Sequence, residues 1–229
     1  MEDYIIIAVI GAFAAADITV FGQFMISQPL IATTIAGFLL GDPENALLIG
    51  MVMQLMWLKL VPAGGAVYLN GNLGSLTAFC VFHLAQSKIG APLHSILFIS
   101  LIYGILASYL IGTATLLQRN INLKIVKLLP EKIQAGNFMQ FQFAHIAGSL
   151  YTAASGGFIV LAGSVTGSLI LRIIPAGAYF SMTEYAEFGI FALLGIGFGT
   201  VLSMVWERKA MIYPVFGIIT GFILFLFLK

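Results

Sequence analysis

Seven side chains in the first third of the chain have the chemistry to hold a polar ligand: Asp17, Gln23, Gln28, Asp42, Gln54, Asn70 and Asn72. Five of them are amides, each with a carbonyl acceptor and two N–H donors, the pairing that a neutral, hydroxyl-rich molecule needs. Asp17 and Asp42 add carboxylates. Tyr68 stands close enough in sequence to pack beside a ring. A single cysteine, Cys80, excludes an internal disulfide and any multi-cysteine metal site. His83, His94 and His145 lie far apart, without the spacing of a zinc site. These residues point to binding, and no catalytic residue, metal or cofactor is expected.

The medium around them follows from composition. Of 229 residues, 60% are hydrophobic and only 8% charged, and mean hydropathy is +1.05. A soluble domain carries about 25% charged residues, so most of this surface must face lipid. At ~20 residues per span there is room for about six to eight hydrophobic segments, and an all-α, polytopic membrane protein forming a single domain over 1–229 is expected. The segments fall near 4–25, 29–41, 43–61, 66–86, 92–117, 141–175, 186–206 and 210–228. The apolar run begins at Ile5 with no basic leader before it, so no removable signal peptide is expected. A net charge of +1 without a basic run makes nucleic acid an unexpected partner.

The stretch 118–140 differs from the rest. Arg119, Lys124, Lys127, Glu131 and Lys132 alternate with Ile121, Ile125, Leu128 and Leu129, the pattern of an amphipathic helix at the membrane surface. Its basic residues place it in the cytoplasm by the positive-inside rule, and Arg208 and Lys209 mark a second cytoplasmic turn. Single crossings by 141–175 and 186–206 satisfy both. Glu184 and Glu187 are expected in a short loop, and the small residues at 148–168 in a close helix contact.

The elements around the candidate residues are broken. Ser27-Gln28-Pro29 reads as a helix start with proline in the first turn. The apolar run ends at Gly41, after about 20 Å of helix, short of a ~30 Å bilayer core. Asp42-Pro43-Glu44 at once begins another helix, with Asp42 as N-cap. Two helices meeting at Gly41-Asp42 form a re-entrant hairpin or a broken helix, which at membrane depth is tolerated only where protein or a water-filled cavity satisfies the backbone. Transporters build substrate sites from such helices. The second helix carries Gln54 and Lys59 and gives way to the glycine-rich run 62–72, where Asn70 and Asn72 offer the donors and acceptors that sugar hydroxyls need.

In this region the sequence resembles the IIC subunit of the mannose–fructose–sorbose family of the bacterial phosphotransferase system. Phe24-Met25-Ile26-Ser27-Gln28-Pro29-Leu30-Ile31, Gly37-Phe38-Leu39-Leu40-Gly41-Asp42, Leu48-Ile49-Gly50, Gln54-Leu55-Met56-Trp57-Leu58 and Pro62-Ala63-Gly64-Gly65-Ala66-Val67 carry the likeness. The resemblance implies a sugar-conducting subunit that pairs in the bacterial inner membrane with a IID subunit, as an oligomer. It also implies that soluble IIA and IIB partners supply the phosphate. Family members often have glutamate where Gln54 stands, and commonly proline–aspartate or proline–asparagine in place of Leu69-Asn70. Both departures bear on the substrate more than on the fold.

Each candidate also has a plainer reading. Asp17, whose charge costs about 2.5–3.5 kcal/mol within a span, is a functional carboxylate or a structural hydrogen-bond partner. Asp42 is economically a helix cap. Gln54 is the leading binding residue, against an interhelical bond worth about 0.6 kcal/mol. Gln23 and Gln28 flank the break, and Asn70 and Asn72 are also good turn residues. Lys59 is expected to snorkel to the interface. The alternatives to a IIC subunit are an ion-coupled secondary transporter using Asp17 and a membrane assembly subunit with no transport of its own.

Overall fold

The computed structural model describes residues 1–59, 69–127 and 138–204. Every element in them is helical: α1 Glu2–Thr19, α2 Pro29–Leu40, α3 Pro43–Trp57, α4 Gly71–Ile89, α5 Leu93–Lys127, α6 Phe138–Ile173, α7 Ala176–Ser181 and α8 Thr183–Met204. Three of them, α5, α6 and α8, are long and apolar enough to cross a membrane by length and composition, and α2 is a shorter apolar helix.

Helix α4 is the axis of the bundle. Its side chains from Leu73 to Ala85 are almost all buried, and it packs against α2, α3, α5 and α6. Helix α1 lies against α6 through small residues: a Cβ added at Gly157 would stand 2.5 Å from the Ala8 carbonyl, so only glycine fits there. This is the close backbone approach expected for 148–168, and in lipid it supplies the packing that hydrophobicity cannot. Helix α8 closes the other flank on α3 and α5.

Helices α2 and α3 form the expected hairpin. Gly41 takes a left-handed φ of 80°, a conformation glycine enters without steric cost. The Asp42 N–H then donates to the Gly37 carbonyl at 2.8 Å, and the Asp42 side chain caps α3 by accepting from the Asn45 N–H. The tip is tied to the far end of α4, where Gln86 Nε2 donates to Asp42 Oδ2 at 2.8 Å. That end also holds the Asp3–His83 approach at 3.8 Å and the bond from Ser95 Oγ to Thr183 Oγ1 at 3.4 Å. At the opposite end, the hairpin's base, Trp57 Nε1 donates to Ser75 Oγ at 3.2 Å, and Lys59 Nζ donates to Ser203 Oγ at 3.3 Å.

Several element bounds differ from the sequence expectation. The first segment does not run to residue 25: α1 stops at Thr19 and residues 20–28 turn, because the Asp17 carboxylate captures backbone N–H groups from that turn. The helix expected from 66 begins at Gly71, and 60–68 lie outside the described residues. Residues 118–127 do not start a separate surface helix but continue α5, since Gln118 and Asn122 hydrogen-bond to α6 and turn the polar face inward. The 35 residues of α5 measure about 52 Å, so its end overshoots a ~30 Å core. Glu184 and Glu187 lie in α8, not in a loop; Glu187 stands 3.8 Å from His94 Nε2. Residues 128–137 and the segment 210–228 fall outside the described residues, and 138–140 belong to α6.

Candidate functional site

At the base of the hairpin, the turn from α1 into α2 and the start of α4 converge. Asp17, only 5% exposed, accepts the Phe24 N–H at 2.7 Å and the Ser27 N–H at 2.8 Å, one on each carboxylate oxygen. This fixes Ser27, whose hydroxyl accepts from Asn72 Nδ2 at 3.4 Å. Gln28 follows as the extended N-cap residue of α2, with no side-chain cap bond of its own. Its side-chain carbonyl instead accepts from Gln54 Nε2 at 3.2 Å. Gln54 Oε1 in turn accepts from the Leu30 N–H at 3.3 Å, one of the first-turn donors that α2 cannot satisfy internally.

Gln28, Gln54 and Asn72 thus lie half-buried on three different elements around one helix N-terminus. Their hydrogen bonds, at 3.2–3.4 Å, are longer than the usual 2.9–3.0 Å of an amide bond. A ligand hydroxyl, donor and acceptor at once, can replace any of them without leaving an amide unpaired. The partial positive charge of the α2 N-terminus adds attraction for an electronegative atom.

The remaining candidates are placed elsewhere. Asp42 lies at the hairpin tip, a 12-residue helix away from Gln28, or about 18 Å, with its carboxylate spent on Asn45 and Gln86. Asn70 is buried as the α4 N-cap: Oδ1 accepts from the Leu73 N–H at 3.1 Å and Nδ2 donates to Thr115 Oγ1 at 3.2 Å. Gln23 is exposed in the turn. Its φ of 51°, with 65° at Met25, is left-handed backbone that side-chain-bearing residues seldom adopt. Gly22 at 70° makes a third such residue in this turn.

Two cavities accompany this arrangement. One of about 650 Å³ opens at the tip end among Asp3, Tyr4, Leu40, His83, Gln86 and Lys88. Another of about 420 Å³ lies at the base end, lined by Asn70, Thr115, Gln118, Arg119, Asn122 and Thr152. The α5 residues of this second cavity escaped the sequence reading, which put 118–140 on the membrane surface. Thr115, Gln118, Arg119 and Asn122 recur at i, i+3, i+4 and i+7, one polar helix face, and that spacing was the available signal. Among the described residues, no group of three or more histidine, cysteine or acidic side chains could hold a metal ion.

An all-α, polytopic membrane protein whose helical hairpin ends on a cluster of amides is the class these features define. The family described as "PTS system sorbose-specific iic component" matches residues 2–229, and the chain belongs to it. It is a membrane component of the sugar phosphotransferase system, of a family of transport subunits. No match is found among curated proteins. Among solved structures, the chain is similar to one described as a membrane protein, at 16% identity and a TM-score of 0.73, covering 96% of this chain and 85% of the other. It is also similar to a chain in the cryo-EM structure of the mannose transporter ManYZ in complex with microcin E492, at 17% identity and a TM-score of 0.55, covering 96% of this chain and 88% of that one. At such identities the likeness speaks for the fold.

Proposed function

We propose that this chain binds and translocates a hexose-type sugar, as the IIC subunit of a mannose-family phosphotransferase complex. The observation that carries the reading is the Gln28–Gln54 pair on the unsatisfied first turn of α2. Asn72 and Ser27 stand beside it. Sugar hydroxyls would exchange with these long amide bonds, while Asp17 holds the turn that presents Gln28. Asp42 and Asn70 act as caps in this reading, and Gln23 meets the sugar only from the exposed turn.

Translocation would move the α2–α3 hairpin against α4 and the long helices. A IID subunit would complete the membrane domain, and soluble IIA and IIB proteins would phosphorylate the sugar and trap it inside. That assignment is supported by family membership and by the mannose transporter among the similar folds. The complex would sit in a bacterial inner membrane. The basic residues Arg119, Lys124 and Lys127 put the hairpin's base on the cytoplasmic side by the positive-inside rule. Ser203, next to Lys59 at that same end, brings the chain there just before Arg208 and Lys209.

The test is Gln54→Ala in the purified membrane complex. Sugar affinity is expected to fall at least a hundredfold, while co-purification with the partner subunit is retained. Unchanged affinity across a panel of hexoses and amino sugars would overturn the assignment.

A further inference from the structure

We propose that the 420 Å³ open cavity between α1, α4, α5 and α6 is a second binding site, separate from the Gln28–Gln54 cluster, for an anionic phosphate ester. Its volume falls in the ~300–1,000 Å³ range of small-molecule sites. One wall is the polar face of α5, and Asn70 of α4 and Thr152 of α6 complete it. Ile18, Val20, Leu73 and Leu123 supply an apolar side.

Two features set the ligand's chemistry. Arg119 lines the cavity half-buried, no described residue accepts a hydrogen bond from it, and no acidic residue is among the lining. A guanidinium in such a place is matched by a phosphate, onto which its planar fork bonds in pairs. The 19-residue helix α4 begins at its cap Asn70 on the cavity wall, adding the positive end of its dipole.

The wall is also held ready. Gln118 Nε2 donates to the Thr152 carbonyl at 3.0 Å and to Ser155 Oγ at 2.6 Å, and Asn70 Nδ2 donates to Thr115 Oγ1. A site whose side chains are already fixed loses less entropy on binding. The required chemistry, an anionic phosphate ester, has two sources: the headgroup of an anionic lipid or a phosphorylated sugar. The apolar side of the cavity suits acyl chains, and its place at the basic end of the bundle suits either.

The full-chain membrane complex in phosphatidylcholine nanodiscs is titrated with glucose 6-phosphate and with inorganic phosphate. In parallel, retention of phosphatidylglycerol is read by native mass spectrometry. Saturable binding of glucose 6-phosphate would support the site with a soluble ligand, and selective retention of phosphatidylglycerol would support it with a lipid. In either case Arg119→Gln should weaken binding at least tenfold and Arg119→Lys about threefold. Melting temperature, read beside each titration, shows that the variants are folded. Binding of neither ester, or binding indifferent to Arg119 in folded variants, would overturn the proposal. Sugar binding dependent on Gln54 is measured separately, so failure at one site is not mistaken for failure at the other.

Discussion

The two ends of the α2–α3 hairpin are both breaks in helix, yet they are built in opposite ways. At the tip, Gly41 supplies the one left-handed residue, and Asp42 spends its carboxylate on Asn45 and Gln86 at 2.9 and 2.8 Å. At the base, Gln23 and Met25 take left-handed conformations with side chains attached; Asp17 holds the turn at 2.7 and 2.8 Å, but Gln54 meets Gln28 at 3.2 Å and Asn72 meets the Ser27 hydroxyl at 3.4 Å. The tip is a completed turn. The base stores strain and loosely engaged hydrogen-bonding groups, the combination found where chains bind ligands or move. A broken membrane helix is therefore no guide to a site until its hydrogen bonds are followed to their partners.

Four substitutions test that contrast. The largest effect is expected from Asp17→Ala, which removes two hydrogen bonds to a buried carboxylate and leaves two N–H groups unpaired. A loss on the order of 3 kcal/mol is expected, read as a large drop in melting temperature; an unchanged melt would show that the base turn holds itself. Asp42→Ala should cost roughly 2 kcal/mol from its lost cap and its bond to Gln86, with sugar affinity within twofold of the parent. A collapse of affinity in that variant would make the tip part of the site and erase the contrast.

A smaller change is expected at Gly41. A Cβ there meets no atom within 4 Å, so Gly41→Ala should cost only the left-handed conformation, about 1–2 kcal/mol, again without loss of binding. Met25→Gly should work in the other direction. Relief of its strained backbone should stabilise the chain by roughly 0.5 kcal/mol, after the added flexibility of glycine is offset. A lower melting temperature would mean that the side chain, 65% exposed here, is covered in the assembled complex.

Much of this was legible before any coordinates. Asp42-Pro43-Glu44 signals a capped helix start through local chemistry alone, and the observed cap follows it. Ser27-Gln28-Pro29 likewise marked the start of α2. Amides on apolar segments singled out Gln28, Gln54 and Asn72, though nothing in their spacing linked them. By contrast, the continuation of α5 through 118–127 was not legible, because charge and alternation look alike on a helix facing water and on one facing another helix. Gln118 and Asn122 meet Thr152 and Ser155 across some thirty residues of chain, and no local pattern encodes that.

The sequence by itself determined the solvent, the helical class, the hairpin and its caps, since hydropathy, proline, glycine and capping residues act within a few positions of where they stand. Tertiary structure alone decided which polar groups meet. It paired Gln54 with Gln28, sent Asp42 to Gln86 at the far end, set Asp17 to hold the turn, and gathered Arg119 and Asn122 around a cavity. The physical reason is that a buried hydrogen bond is settled by whichever partner the packing brings within 3.5 Å, and α4, the helix around which the others pack, makes that selection.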